Sequence, residues 1–205
     1  MRVAVLTPTI RPAGLERVAQ SVQLLMKENK ETFWHVGLSA VGEKSTLCRT
    51  MNSLLELACG DSPDVVIFLQ DYIFTTRLFD VADFVYREQK AFTFPVTKEG
   101  KEDWRSVGVT RKIEPNEWEI DFAAIPFSLL HKERFDTDFD DRGGFGWENS
   151  EYALRLNLRH GIDFFVEPRF SADAIDHDAR EPHPFKKNGN QDLYIIKEQY
   201  LRKFS

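Results

Sequence analysis

The chain has 205 residues, 42% of them hydrophobic and 13% aromatic, enough to bury one sizeable core, so a single globular domain is expected. A formal charge of -6 excludes a broad basic footprint for gripping a nucleic-acid backbone as the main partner. No apolar run is long enough to span a bilayer, and Arg2 leads directly into an apolar strand, so a cytoplasmic protein is expected.

In chain order, "RVAVLT" predicts a strand, and after Pro8 and Pro12 the segment "GLERVAQSVQLLMKEN" places Leu15, Val18, Ala19, Val22, Leu25 and Met26 at helical spacing. "FWHVGLS" predicts a second strand. "STLCRTMNSLLELACG" predicts a second helix, with Leu47, Met51, Leu54, Leu55 and Ala58 inward and Gly60 as its stop. Cys48 and Cys59 fall on this helix about 16 Å apart at 1.5 Å per residue, too far to bridge, so both are expected as free thiols. "DVVIFLQ" predicts a third strand, and the alternation implies a parallel sheet with helices on both faces. Within "VVIFLQDYIF", Asp71 is the one carboxylate of an apolar run. Unpaired burial would cost several kcal/mol, so Asp71 is expected at the strand's mouth, where open α/β sheets bind ligands.

The second half changes rhythm. "LFDVADFVYREQ" predicts a helix, "AFTFPV" a strand, and "TKEGKEDWRSVGVTRKIEPNEW" a polar stretch with room for one strand. "IDFAAIPFSLL" starts extended and becomes helical. "ENSEYALRLNLRHG" predicts a helix ending at Gly161, with Leu154 and Leu158 inward and a surface Glu151/Arg155 ion pair. "IDFFVEP" predicts a strand, "REPHPFKKNGN" a mobile connection, and "DLYIIKEQYLRKF" a closing amphipathic helix. The first loop, "TPTIRP", has neither GxGxxG nor GxxxxGK[ST], so phosphate is expected to be met by a side-chain-held metal ion with Arg or Lys.

The order and spacing of "AVLTPTIRP", "MNSLLELACGD", "VVIFLQD", "FAAIPFSLLHKERFD", "GGFGWENSEYALRLNLRHG" and "AIDHD" resemble the GT-A glycosyltransferases, especially the family-2-like group, over nearly the whole chain. The resemblance implies a GT-A (Rossmann-like) α/β fold with a mostly parallel sheet and helices on both faces, as one domain with a nucleotide-binding half over 1–75, an acceptor-side half over 76–178, and a mobile loop and C-terminal helix over 179–205. It also implies transfer of a sugar from a nucleoside diphosphate sugar, a UDP-sugar being the expected donor, to an acceptor hydroxyl. It places Thr7, Pro8, Arg11, Asn52, Gln70, Asp71 and Trp147 around the donor, and Asp71 and His177 at a divalent ion, Mn²⁺ or Mg²⁺. Where the family often shows Asp-x-Asp, this chain has Gln70, Asp71 and Tyr72, leaving one carboxylate.

The same resemblance makes Glu148 and Asn149 the catalytic pair, with Gly143, Gly144 and Gly146 allowing close backbone approach. Inverting members usually carry Glu-Asp, whereas Asn149 cannot take a proton. The Trp-Glu-Asn order is similar to the retaining polypeptide N-acetylgalactosaminyltransferases. Inversion with Glu148 as base, and retention with Glu148 and Asn149 as positioning groups, therefore both stay open. Lys44, Arg49, Lys186 and Lys187 are candidate phosphate contacts, and Trp104, Arg105 and Trp118 a candidate acceptor wall. The acceptor class is open among a saccharide, a protein and a modified nucleobase. The alternative function is a non-catalytic nucleotide-sugar or glycan-binding module, suggested by the acids missing at Gln70, Tyr72 and Asn149.

Overall fold

Strands β1 (Val3–Thr9), β2 (Thr32–Leu38) and β3 (Val65–Leu69) alternate with helices α1 (Leu15–Glu28) and α2 (Leu47–Asp61) in a computed structural model that describes residues 1–9, 15–39, 46–98, 103–130, 133–138 and 148–174. Beyond them come β4 (Ile73–Phe74), α3 (Leu78–Glu88), β5 (Ala91–Thr93), β6 (Val96–Lys98), β7 (Arg111–Ile113), β8 (Phe122–Pro126) and α4 (Phe127–Leu130). Helix α5 (Glu148–His160) and strands β9 (Phe164–Val166) and β10 (Ala172–Ala174) follow, and 3₁₀ turns cover Trp104–Ser106 and Pro115–Glu117.

Among the described residues the main sheet has seven strands in the order β2-β1-β3-β8-β5-β9-β7. Strands β8 and β7 run against the other five, so the sheet is mostly parallel by direction. A smaller three-stranded sheet, β4-β10-β6, lies beside it. Residues of β3 alternate between two cores. Val66 and Phe68 join Ala4 and Leu6 under Met51, Leu55, Tyr152 and Leu156 of α2 and α5. On the other face Val65, Ile67 and Leu69 join Val18, Val22, Val81 and Val85 of α1 and α3. Helices thus cover both faces, as an apolar strand buried on both sides requires.

Several local expectations are corrected. Helix α2 runs through Gly60 to Asp61 and stops at Ser62, whose φ of 48° and N–H bonds to Ala58 and Cys59 carbonyls make the cap. "AFTFPV" divides at Phe94 and Pro95 into β5 and β6, which belong to different sheets. On α5 the buried side is Glu148, Glu151, Tyr152, Ala153 and Leu156, while Leu158 is exposed. The closing helix expected from "DLYIIKEQYLRKF" lies outside the described residues. Cys48 and Cys59 are free thiols. Among the described residues no helix is long and apolar enough to cross a membrane.

Candidate functional site

Parallel neighbours β1 and β3 finish at the same edge of the sheet. The apolar strand ends at Leu69, and Gln70, Asp71 and Tyr72 form a turn closed by the Ile73 N–H on the Gln70 carbonyl at 3.1 Å. Asp71 therefore stands at the mouth of β3, half-buried, where Thr9 Oγ1 donates to its Oδ2 at 2.6 Å. Strand β2 reaches the same edge, and the N–H of Ser39, directly after it, bonds the Thr9 carbonyl at 2.8 Å. The Ser39 hydroxyl is buried and has no hydrogen-bond partner among the described residues.

Thr7 and Pro8, expected beside the donor, are buried within β1, and Trp34 Nε1 donates to Thr7 Oγ1 at 3.0 Å. The hydroxyl that reaches Asp71 belongs to Thr9, two residues on and on the same side of the strand. Asn52, expected at the donor, clamps the main chain of Phe135. Its Nδ2 donates to the Phe135 carbonyl at 2.9 Å and its Oδ1 accepts the Phe135 N–H at 2.8 Å, so both ends of the amide hold the 133–138 segment against α2.

On the other side of the turn the antiparallel β8 begins, and the Gln70 N–H bonds the Asp121 carbonyl at 3.0 Å. The Asp121 carboxylate takes Lys98 Nζ at 2.5 Å and the Tyr72 hydroxyl, while Lys98 Nζ lies 5.8 Å from the centre of the Tyr72 ring. Burial, then the Asp121 charge and hydrogen bond, with Glu119 and Asp71 nearby, pushes the Tyr72 phenol well above its ordinary value. Tyr72 thus stays a neutral donor.

Behind this group Arg105 is 2% exposed. Its guanidinium donates to Asp103, to Glu119 at 2.9 Å and to Thr93 Oγ1 at 3.0 Å. Burial pushes Asp103 up, but the Arg105 hydrogen bonds, the Val96 N–H and the Arg105 charge outweigh it and hold its carboxyl below the ordinary range. Glu119 moves the opposite way, because burial and the Asp121 and Asp103 charges outweigh Arg105 and Lys98. Arg105 and Trp118, expected on an acceptor wall, are core residues, whereas Trp104 is 49% exposed with the Arg111 guanidinium 5.0 Å from its ring centre.

Helix α5 opens with Glu148, 2% exposed, and Asn149, whose buried Oδ1 has no hydrogen-bond partner among the described residues. Glu151 pairs with Arg155 at 2.5 Å, and Arg155 also reaches Glu133 Oε2 at 3.0 Å and the Arg134 carbonyl at 2.7 Å. Of the pair expected on the surface, Glu151 is buried and Arg155 is half-buried, and together they fasten α5 to the 133–138 segment. Phe135 stacks on Tyr152 at 4.1 Å, completing that joint.

Arg11, Lys44, Gly143, Gly144, Gly146, Trp147, His177, Lys186 and Lys187 lie outside the described residues, and Arg49 is exposed on the first turn of α2. Among the described residues no group of three His, Cys, Asp or Glu side chains gathers as a metal site. A hard cation that takes one protein carboxylate and completes its shell with phosphate oxygens and water fits Asp71. Sequence reasoning missed Thr9, Lys98 and Asp121. Their signal was weak, because each is an ordinary polar residue until the sheet brings it to this edge.

No family model and no curated protein matches the sequence. Solved structures do. One, described as GalNAc-T7 with UDP, GalNAc and Mn²⁺, matches over 99% of this chain and 49% of its own, with a TM-score of 0.56 and 10% identity. Another, a glycosyltransferase involved in the glycosylation of the major capsid of PBCV-1, matches over 98% of this chain and 100% of its own, with a TM-score of 0.51 and 8% identity. The chain thus spans about half the length of the first protein and the whole of the second. At these identities the likeness is one of fold, and the fold is the GT-A-like one of glycosyltransferases.

Proposed function

We propose that the protein is a glycosyltransferase that moves a sugar from a nucleoside diphosphate sugar, a UDP-sugar first among them, to an acceptor hydroxyl. The observation that carries this reading is the edge itself: Asp71 held by Thr9 at the mouth of β3, with Gln70 tied to Asp121 beside it. Open α/β sheets bind ligands at this end, and a single carboxylate there suits a nucleotide-sugar site that shares its cation with the donor's phosphates. Asp71 and His177 would hold that cation, which supplies Lewis-acid stabilisation of the departing diphosphate. In the same reading Gln70 meets the ribose, Arg11 and the β1 main chain at Thr7 and Pro8 meet the base, and Trp147 offers an apolar face to the sugar.

Glu148 is the acceptor-side acid. Its placement is supported by the direction of α5: residues 161–163 alone separate the helix from β9, so the helix runs back against that strand. Strand β9 is parallel to β5 and, through β8, to β3, so the first turn of α5 faces the end of the sheet at which Asp71 lies. There Glu148 either takes the acceptor proton, giving inversion, or fixes the acceptor with Asn149, giving retention. The anomeric configuration of the product, read by NMR, separates the two.

The test is a thermal-shift panel of UDP-, GDP- and dTDP-sugars with and without Mn²⁺, followed by nucleoside diphosphate release for any sugar that binds. Turnover by the wild type, with E148Q keeping donor binding within about threefold but losing about a hundredfold or more in rate, is the expected result. Binding without turnover in the wild type selects the second reading, a donor-binding module, which the lost acids at Gln70, Tyr72 and Asn149 favour. No shift with any donor sinks both.

A further inference from the structure

Lys98 ends β6, and its neighbours in the small sheet tie it to the candidate site. The strand pairs Lys98 with Ala174 of β10, and Ala174 with Ile73 directly after the Gln70–Tyr72 turn. Its ammonium sits on Asp121 Oδ2 at 2.5 Å and over Tyr72. Asp121 is in turn fastened to Gln70 through the main chain. The Lys98 side chain is 45% exposed, and its ammonium is anchored by Asp121. An ammonium has three N–H donors, and Asp121 occupies one.

Two features of the surroundings specify what the remaining donors meet. Arg105, the other cation of this group, is buried with its donors spent on Asp103, Glu119 and Thr93, so it has nothing to offer a ligand. Tyr72 gives the turn a ring in place of a second carboxylate, and its ring centre lies 5.8 Å from the ammonium. The turn thus carries one carboxylate, Asp71, and has a fixed ammonium beside it.

We infer that Lys98 is a phosphate-binding residue of the site, its ammonium meeting the diphosphate of the donor. The inference rests on the glycosyltransferase reading. As the bond between the anomeric carbon and the diphosphate oxygen breaks, its electron pair passes to that oxygen, and Lys98 offsets part of the added negative charge. The same position lowers the dependence of diphosphate binding on a divalent ion.

The experiment compares wild type, K98M and K98R by calorimetry, with whichever of UDP, GDP and dTDP shifts the wild type, against its parent nucleoside, each in EDTA and in Mn²⁺. The expected result is a diphosphate affinity about ten- to a hundredfold weaker in K98M, the loss being larger in EDTA, with nucleoside affinity unchanged and K98R near wild type. An unchanged melting temperature of free K98M separates this from misfolding, and should K98M be unstable, K98Q is measured in its place. Diphosphate binding by K98M or K98Q equal to wild type overturns the role of Lys98 while leaving the glycosyltransferase reading standing. Equal losses for diphosphate and nucleoside overturn it as well, since the effect would then not be on phosphate. A wild type that binds none of the three diphosphates overturns both.

Discussion

Replacing Arg105 by Met tests whether the ion cluster behind the candidate site holds the fold. The substitution keeps most of the apolar stem and removes the donors to Asp103, Glu119 and Thr93. Glu119 is 46% exposed on its side chain and can be rehydrated, but Asp103 is only 8% exposed and is left as a buried charge. Breaking a buried pair from one side costs about 3–5 kcal/mol, and for a chain of this length that is a fall in melting temperature of roughly 6–20 °C. Urea unfolding followed by tryptophan fluorescence and circular dichroism measures it. The pH dependence supplies a second check. In the wild type Asp103 is held below its ordinary value, so its contribution is full above about pH 4 and is lost as pH falls through the lower folded value. In R105M burial is opposed only by the main-chain N–H groups of Val96 and residue 105, so Asp103 lies higher than in the wild type, and the penalty is full at neutral pH and is relieved on protonation. The gap between the two proteins therefore narrows on acidification, and adding D103N to R105M recovers part of the loss at neutral pH. A loss at pH 7 below about 1 kcal/mol, or a gap that widens in acid, refutes the reasoning.

Two further substitutions test the scaffold around the site. Gly37 of β2 has no room for a methyl group: a Cβ there would lie 2.6 Å from Thr50 Cγ2 and 3.1 Å from Leu54 Cγ, so G37A is expected to force β2 from α2 and destabilise by about 1–3 kcal/mol in urea unfolding. N52A removes both hydrogen bonds of the clamp on Phe135, and a loss of about 2 kcal/mol with donor affinity unchanged within about twofold is expected, by urea unfolding and calorimetry together. A fall in donor affinity at unchanged stability would return Asn52 to the donor site.

The alternation of strands and helices up to β3 was legible because each element carries its own period: inward Leu47, Met51, Leu54, Leu55 and Ala58 are where helical spacing puts them. The second half was less so. Strands of two or three residues, such as β4, β6 and β10, are too short to show an alternation, and their pairing is decided by neighbours far along the chain. The reversal of β8 leaves no trace in "FAAIP", which is buried throughout and reads alike in either direction. On α5 the inward side was misplaced because Glu151 is buried with its own cation, and a charge paired inside the fold looks like a surface charge in sequence.

The same physics explains why the site was half legible. Asp71 announced itself as a charge in an apolar run, a local contradiction that only an exit from the sheet resolves. Asp121 and Lys98 produce no such contradiction. They meet the Gln70–Tyr72 turn because β8 runs opposite to β3, which brings the start of one strand to the end of the other, and because β10 carries the end of β6 alongside β4. A turn that reads "QDY" looks depleted of acids along the chain, yet in space the second carboxylate arrives from β8 already paired with an ammonium. The reversal of β8 and the pairing of β6 with β10 therefore fix a protein cation beside this turn, a charge that the order of residues along the chain does not show.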